Sequence, residues 1–405
     1  MTRASKFSLI LMSALAASAL PAYAGYSSIS VEQDTSSYNL TAGFDANPGD
    51  GGVENTAFGL WALSNAGCCT YYNSAFGYWA LYNDGLGAYN TGLGYTALYA
   101  NTSGSQNTGI GAGALFWTTG GSNNTAVGYD AALQNTGSNN TAIGFQTLGG
   151  YIDAAKKSSG NNNAVLGYDA LYLNETGYAN ASVGAYSMLV NTTGYQNAAV
   201  GLSSLRKNTT GYLNVAIGYE AGSNLTTGSN NIEIANAGGS ATESGVIRIG
   251  TLGVQTTAFV QGIAGTTLTT STPAAVYVDP ATGQLGLAAS SERFKTDIET
   301  MGEATRKLDQ LRPVTFKLKS DESGPVQYGL IAEEVARVYP ELVLHDQNGR
   351  ISGVRYEELA PMLLNELQRQ QKVAADQQER LADQARQLEE LQQQVAALLG
   401  RAAAP

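Results

Sequence analysis

Between Asn55 and Asn231 polar and apolar residues return with one short period. The unit reads Asn-Thr-Ala-Val-Gly-Tyr-x-Ala-Leu-x-x-Asn-Thr-Thr-Gly-x-x, and its leading asparagine falls at 55, 73, 90, 107, 124, 140, 163, 180, 197, 214 and 231, mostly 17 residues apart. A unit this short cannot bury an apolar face alone, so it must stack on copies of itself. Asn-Thr-Ala-Val predicts a short strand, the glycine in the fifth place (Gly59 to Gly218) a corner, and Ala-Leu the inward packing, with the asparagines laddered along the axis. The expected fold is mainly β, a parallel β-solenoid or β-roll over residues 55–231 that follows an N-terminal segment, 25–54. The one long step, from 140 to 163, carries residues 149–160, which read as a loop pushed out of one coil.

After residue 231 the pattern shifts. Residues 232–235, 245–250, 258–263 and 275–279 alternate like strands and suggest a β-rich stalk over 232–289. Beyond it, residues 296–311 predict a helix, 314–318 a strand, and 330–338 a helix whose Glu333 and Glu334 face solvent. Asn348-Gly349 predicts a hairpin turn between 342–344 and 351–354. From about 357 the period becomes heptad: Ala360, Leu367, Ala374, Leu381, Leu388 and Val395 hold one seam position, and Leu363, Gln370, Gln377, Gln384, Leu391 and Leu398 the other. A trimeric coiled coil over 360–405 with polar middle layers follows, a helix folded back on its own domain being the competing reading. Pro361 fits if it lies in the first turn. The expected C-terminal part is thus a small α+β domain, 290–359, ending in a long helix.

Composition narrows the function. With 48 glycines and only 14% charged residues, the 405-residue chain is unlike one compact enzyme, and its net charge of −11 argues against nucleic acid as a partner. Residues 1–24 carry Arg3 and Lys6, an apolar run and Ala22-Tyr23-Ala24, the marks of a signal peptide cut after Ala24, which implies a secreted, extracellular or cell-surface protein with no membrane span in the mature chain. Cys68 and Cys69, the only cysteines, are too few for a zinc site; they bridge chains of an exported trimer or lie as buried thiols. A lone histidine, His345, makes neither a Ser-His-Asp triad nor a metal site, and no cofactor is expected. Residues 51–150 hold only Glu54, Asp84 and Asp130, little for a glycosidase, which needs paired carboxylates. Aromatic residues such as Tyr78, Trp79, Tyr82, Tyr95 and Trp117 offer stacking surfaces for a glycan or host-surface ligand, although their fixed places in the repeat also suit packing between coils or chains.

Where the repetitive part ends, residues 290–295 read Ser-Ser-Glu-Arg-Phe-Lys. A serine and a lysine five apart are a candidate nucleophile and base. They are followed in order by Leu311-Arg-Pro-Val-Thr-Phe-Lys-Leu318, Tyr328-Gly-Leu-Ile-Ala-Glu-Glu-Val335, Tyr339-Pro-Glu-Leu-Val343 and Val354-Arg-Tyr-Glu-Glu-Leu359. This series, over about residues 287–370, resembles the endosialidase-type intramolecular chaperone, a self-cleaving Ser/Lys peptidase of phage tail spikes and bacterial surface fibres. The repeats before it are similar in principle to the heads of trimeric surface adhesins.

The resemblance implies a domain that helps three chains form a fibre and then cuts itself off before the motif serine. Matched onto the family pattern Ser-Asp-x-Arg-x-Lys, Ser290 is the nucleophile, Lys295 the general base, Ala289-Ser290 the scissile bond and Arg293 the family arginine. Ser291 replaces the family aspartate and is a rival nucleophile. A serine next to the bond it attacks needs no substrate cleft. The lysine must lose its proton, and Phe294 with Arg293 can supply the burial and the neighbouring cation that this requires. The site is therefore expected to assemble only on folding. Two alternatives carry different predictions: an uncleaved surface adhesin with a C-terminal trimerisation domain, and a phage-derived tail fibre.

Overall fold

The computed structural model describes residues 31–34, 37–46, 52–149, 157–261, 263, 273–346 and 348–402. The expected signal peptide, residues 1–24, and the tip of the expected loop, 150–156, lie outside them. The chain divides into two compact units, one of the residues up to Pro273 with Pro280–Gly283, the other of Ala274–Asp279 and the residues from Gln284 on.

The first unit is the solenoid. Strand β1 (Val31–Asp34) pairs antiparallel with β2 (Asn39–Ala42). From β2 the sheet runs parallel and in sequence order through three-residue strands, β3 (Thr56–Phe58) to β14 (Ile247–Ile249). The parallel sheet therefore begins before the first complete repeat, and 232–234 and 247–249 continue it instead of opening a stalk. Residues 258–261, expected as strand, have none.

Each strand turns its middle residue inward and its first and third outward, as strand geometry requires. The inward residue is small: where Gly92 stands, a Cβ would lie 3.4 Å from Cγ of Leu81. Leu63, Leu81, Leu98, Leu115, Leu148, Leu171, Met188 and Leu205 fill the other side of this thin core, all fully buried. They sit at left-handed φ of 47 to 57°. A β-branched residue at such an angle is strongly disfavoured, which explains why the position takes Leu or Met and not Ile or Val. The corner glycine has a different reason. At Gly184, φ is +131° and a Cβ would come within 2.4 Å of the Gly201 carbonyl, so consecutive coils touch backbone to backbone there.

The asparagine ladder forms, with a different bonding pattern from a simple stack of amides. Each Oδ1 accepts the backbone N–H of the next asparagine, from Asn39 to Asn55 at 2.8 Å through Asn180 to Asn197 at 3.0 Å and on to Asn231, whose Oδ1 takes the Val246 amide. Each Nδ2 donates to a loop carbonyl, as Asn180 does to Gly194 at 2.9 Å. The rung survives the long step, since the Asn163 amide reaches Asn140 Oδ1 at 2.8 Å across 23 residues. Every rung satisfies a buried donor and acceptor that would cost about 1–3 kcal/mol if orphaned. A second ladder runs through Asn174, Asn191 and Asn208, joined by 2.9 Å amide contacts. At the C-terminal end the inward place passes to Glu233, wholly buried and paired with Arg248 at 3.1 Å.

Cys68 and Cys69 are exposed free thiols with sulfurs 3.3 Å apart, which overturns the buried-thiol reading. Aromatic side chains stack coil on coil, as in Tyr178, Tyr195 and Tyr212 with centroids 4.9 and 4.8 Å apart.

In the second unit, β15 (Tyr277–Val278) and β16 (Leu285–Gly286) pair antiparallel, as do β17 (Val314–Phe316) and β18 (Gln327–Gly329). Helix α1 (Ala332–Val338) and the hairpin β19 (Val343–His345) and β20 (Ile351–Val354) follow, then α2 (Tyr356–Ala402). The core gathers Val335, Tyr339, Leu342 and Val343. The helix expected over 296–311 is instead a 3-10 helix confined to Gly302–Gln310, with Asp297 turned left-handed before it and Gly302 left-handed at its first residue (φ 53 and 50°). Pro361 lies in the second turn of α2, since that helix starts at Tyr356; its missing N–H leaves the Glu357 carbonyl without its helical partner.

Candidate self-cleavage site

The strand β16 leads into residues 287–290, which run without regular structure to a single 3-10 turn, Glu292–Phe294. Ser291 is extended at its N-terminus (φ −67°, ψ 140°), the Phe294 amide donates to the Ser291 carbonyl, and the Lys295 amide donates to the Glu292 carbonyl, both at 3.0 Å. One turn thus separates Ser290 from Lys295. The turn keeps the two residues close along the chain, with both side chains in solvent and no hydrogen bond between them. Ser291 is also exposed, and its hydroxyl makes no capping bond.

The neighbours expected to prepare the lysine are otherwise engaged. Arg293 lies over the Phe294 ring, 4.5 Å from its centroid, and Phe294 remains 62% exposed. In the isolated chain, therefore, the ring does not bury Lys295. The whole approach is similarly uncovered: Val276, Val278, Leu285, Leu287 and Ile298 are 61 to 68% exposed.

Further along the same unit, polar contacts without any sequence signal hold its core. Tyr339 donates its hydroxyl to the Ala304 carbonyl at 3.0 Å, the Leu330 amide donates to the Tyr356 hydroxyl at 2.8 Å, and Asn365 of α2 donates to the Gly302 carbonyl at 2.9 Å and to Thr305 Oγ1 at 2.6 Å. Single polar residues within apolar patterns carry no periodic signal. Glu334 is not simply solvated as expected: Arg312 grips it with two bonds, of 3.1 and 2.6 Å, and holds its carboxyl below the usual range. His345 is exposed. Asp346 organises the adjacent turn by accepting the Asn348 and Arg350 amides at 2.9 Å. Among the described residues no group of three or more His, Cys, Asp or Glu is placed to hold a metal, and no helix is long and apolar enough to cross a membrane.

The chain thus carries a repeat β-solenoid and, in a separate compact unit, small antiparallel sheets with a long C-terminal helix. The family described as chaperone of endosialidase, a self-cleaving peptidase-type domain, matches residues 290–344, so this segment is an endosialidase-type chaperone domain, and its match opens on Ser290. No curated protein and no solved structure matches the chain.

Proposed function

We propose that the chain is an exported, adhesin-like fibre protein that assembles as a homotrimer under its C-terminal intramolecular chaperone, which then releases itself between Ala289 and Ser290. The observation that carries this reading is the uncovered state of the site. A bond flanked by apolar side chains that are 61 to 68% exposed, beside a lysine in solvent, is inert until partner chains cover it. Cleavage then reports completed assembly.

In the proposed reaction Lys295, once desolvated, takes the proton of the Ser290 hydroxyl, and Oγ attacks the Ala289 carbonyl carbon. The bond from that carbon to the Ser290 nitrogen breaks, and the nitrogen leaves as an amine carrying the proton that Lys295 held. Water hydrolyses the resulting ester, freeing the Ala289 carboxylate and a fragment that begins at Ser290. Mass spectrometry of expressed full-length protein tests this. A fragment starting at Ser290 is expected, absent in Ser290→Ala and in Lys295→Ala; cleavage that survives both changes removes the dyad, and a fragment starting at Ser291 moves the nucleophile one place. Uncut trimers would favour the reading as an intact surface adhesin.

A further inference from the structure

The solenoid leaves one apolar face open along its length. The third residue of every strand points outward, and from β3 to β14 it is Phe, Leu, Ile or Val without exception. Phe76, Leu93, Leu166, Val183, Val200 and Ile217 are 37 to 47% exposed. Two residues on, past the corner glycine, a second outward column carries Tyr95, Tyr129, Phe145 and Tyr168, 39 to 55% exposed. Neither column holds a charged residue between Phe58 and Tyr219. Other aromatic columns on the coil are interrupted: Tyr72 and Tyr89 give way to Gln106, Asn123 and Asn139, and Tyr178, Tyr195 and Tyr212 follow Ser122, Ser138 and Asn161. Single exposed apolar side chains are ordinary, but unbroken columns of them are not.

We infer that this double column is the face through which the solenoids of three identical chains meet, the outward strand residues turned towards a common axis. The inference rests on the trimeric reading above and names its contact surface. Two properties of the face select a second copy of the chain as its occupant. The first is area: side chains of roughly 150–200 Å² each, a little under half exposed, add up to on the order of 1,000 Å², against about 800 Å² per partner in a standard interface and about 300–600 Å² for the largest patch on an ordinary monomer. The second is period. The columns repeat with every coil, so a partner that fits one coil fits all of them only if it carries the same coil spacing, as another copy of this solenoid does. Absence of charge lets like faces meet without burying unpaired ions.

The test uses full-length protein in which Cys68 and Cys69 are replaced by serine and one new cysteine is introduced, Val200→Cys or Ile143→Cys on the face, or Thr193→Cys on the polar loops. Each variant is treated with a short bis-maleimide after its mass in solution has been measured. Equivalent residues around a threefold axis are neighbours, so in trimeric material both face variants are expected to link chains in pairs, leaving the third chain single, while Thr193→Cys stays unlinked. Trimers in which neither face variant links, or in which Thr193→Cys links as readily, overturn the assignment of the face but leave the trimer intact. Monomers by mass overturn both. Two face positions in different coils guard against one substitution disturbing its own coil.

Discussion

Asp84 gives the sharpest quantitative handle on the solenoid. It stands in the second ladder, where Asn101, Asn174, Asn191 and Asn208 occupy the equivalent place. Its side chain is wholly buried. Oδ1 accepts the Gly87 amide at 3.1 Å and Asn101 Nδ2 at 2.8 Å, while Oδ2 meets no donor among the described residues. Burial outweighs those donors and pushes the carboxyl up to about 7. The unfolded carboxyl titrates near ~3.9, so the folded chain holds the proton more tightly. The stabilising contribution is therefore complete below about pH 4, falls as pH rises through the interval, and is gone once pH passes about 7. Between about pH 5 and about pH 8.5 the native protein should lose about 3 kcal/mol, at 1.36 kcal/mol per unit of separation. Asp84→Asn is neutral throughout, and its amide can donate to the Gly87 carbonyl as Asn101 does to Gly104 at 2.9 Å. Urea unfolding of the full-length chain, followed by tryptophan fluorescence, reads this locally because Trp79 belongs to the same coil as Asp84. The variant is expected to lose that pH dependence and to exceed the native stability above pH 7. A native midpoint constant over the range, or a variant that declines in parallel with the native protein, refutes the assignment to Asp84.

Gly184→Ala forces a methyl to 2.4 Å from the Gly201 carbonyl at φ +131° and should cost about 3 kcal/mol or more in thermal denaturation; an unchanged melting temperature would deny the backbone contact between coils. Asn180→Ala orphans the Asn197 amide, while the Gly194 carbonyl keeps its bond from Asn191 Nδ2 at 3.0 Å, for a loss of about 1–3 kcal/mol, and should speed hydrogen exchange at Asn197. Leu381→Asp with Leu388→Asp, which places charge on a seam whose leucines are 63 and 60% exposed, should cut the yield of trimers on refolding; equal yields would assign α2 no part in association.

What was legible in the sequence is what repeats. Strands, corner glycines, inward Ala-Leu pairs and the asparagine ladder each recur in nearly every coil, so the period reports them even though no strand exceeds three residues between Thr56 and Ile249. The ends were less legible because the terminal coils depart from the consensus. Asn39 sits in a rung with no full repeat behind it, and Glu233 takes an inward place held from β3 to β12 by Ala, Gly, Ser or Val. In the C-terminal unit the strand at 314–316, the helix 332–338 and the hairpin 343–345/351–354 were legible within a few residues, the short partner strands β16 and β18 were not, and the first helix took 3-10 form beside two left-handed residues. Ser290 and Lys295 were legible as a pair through their motif, but the surroundings that would activate them were not. In the single chain both side chains stand in solvent.

Three separate elements carry the same deficit: the outer columns of the solenoid, the apolar segment around Ala289-Ser290, and the seam of α2, where Leu363, Leu391 and Leu398 are 57 to 64% exposed. On the trimeric reading proposed above, identical chains cover all three. The order in which they close follows from their contact ranges. A coil of the solenoid contacts only its neighbours and gains little until several have stacked, so three free chains have no inexpensive way to begin in register. On the trimeric reading, association through α2 would raise the local concentration of the remaining surfaces and align equivalent residues before the coils stack. On the proposed reading, covering the segment around Ser290 is the late consequence of that alignment. A cut made then removes the device after the solenoids already hold one another.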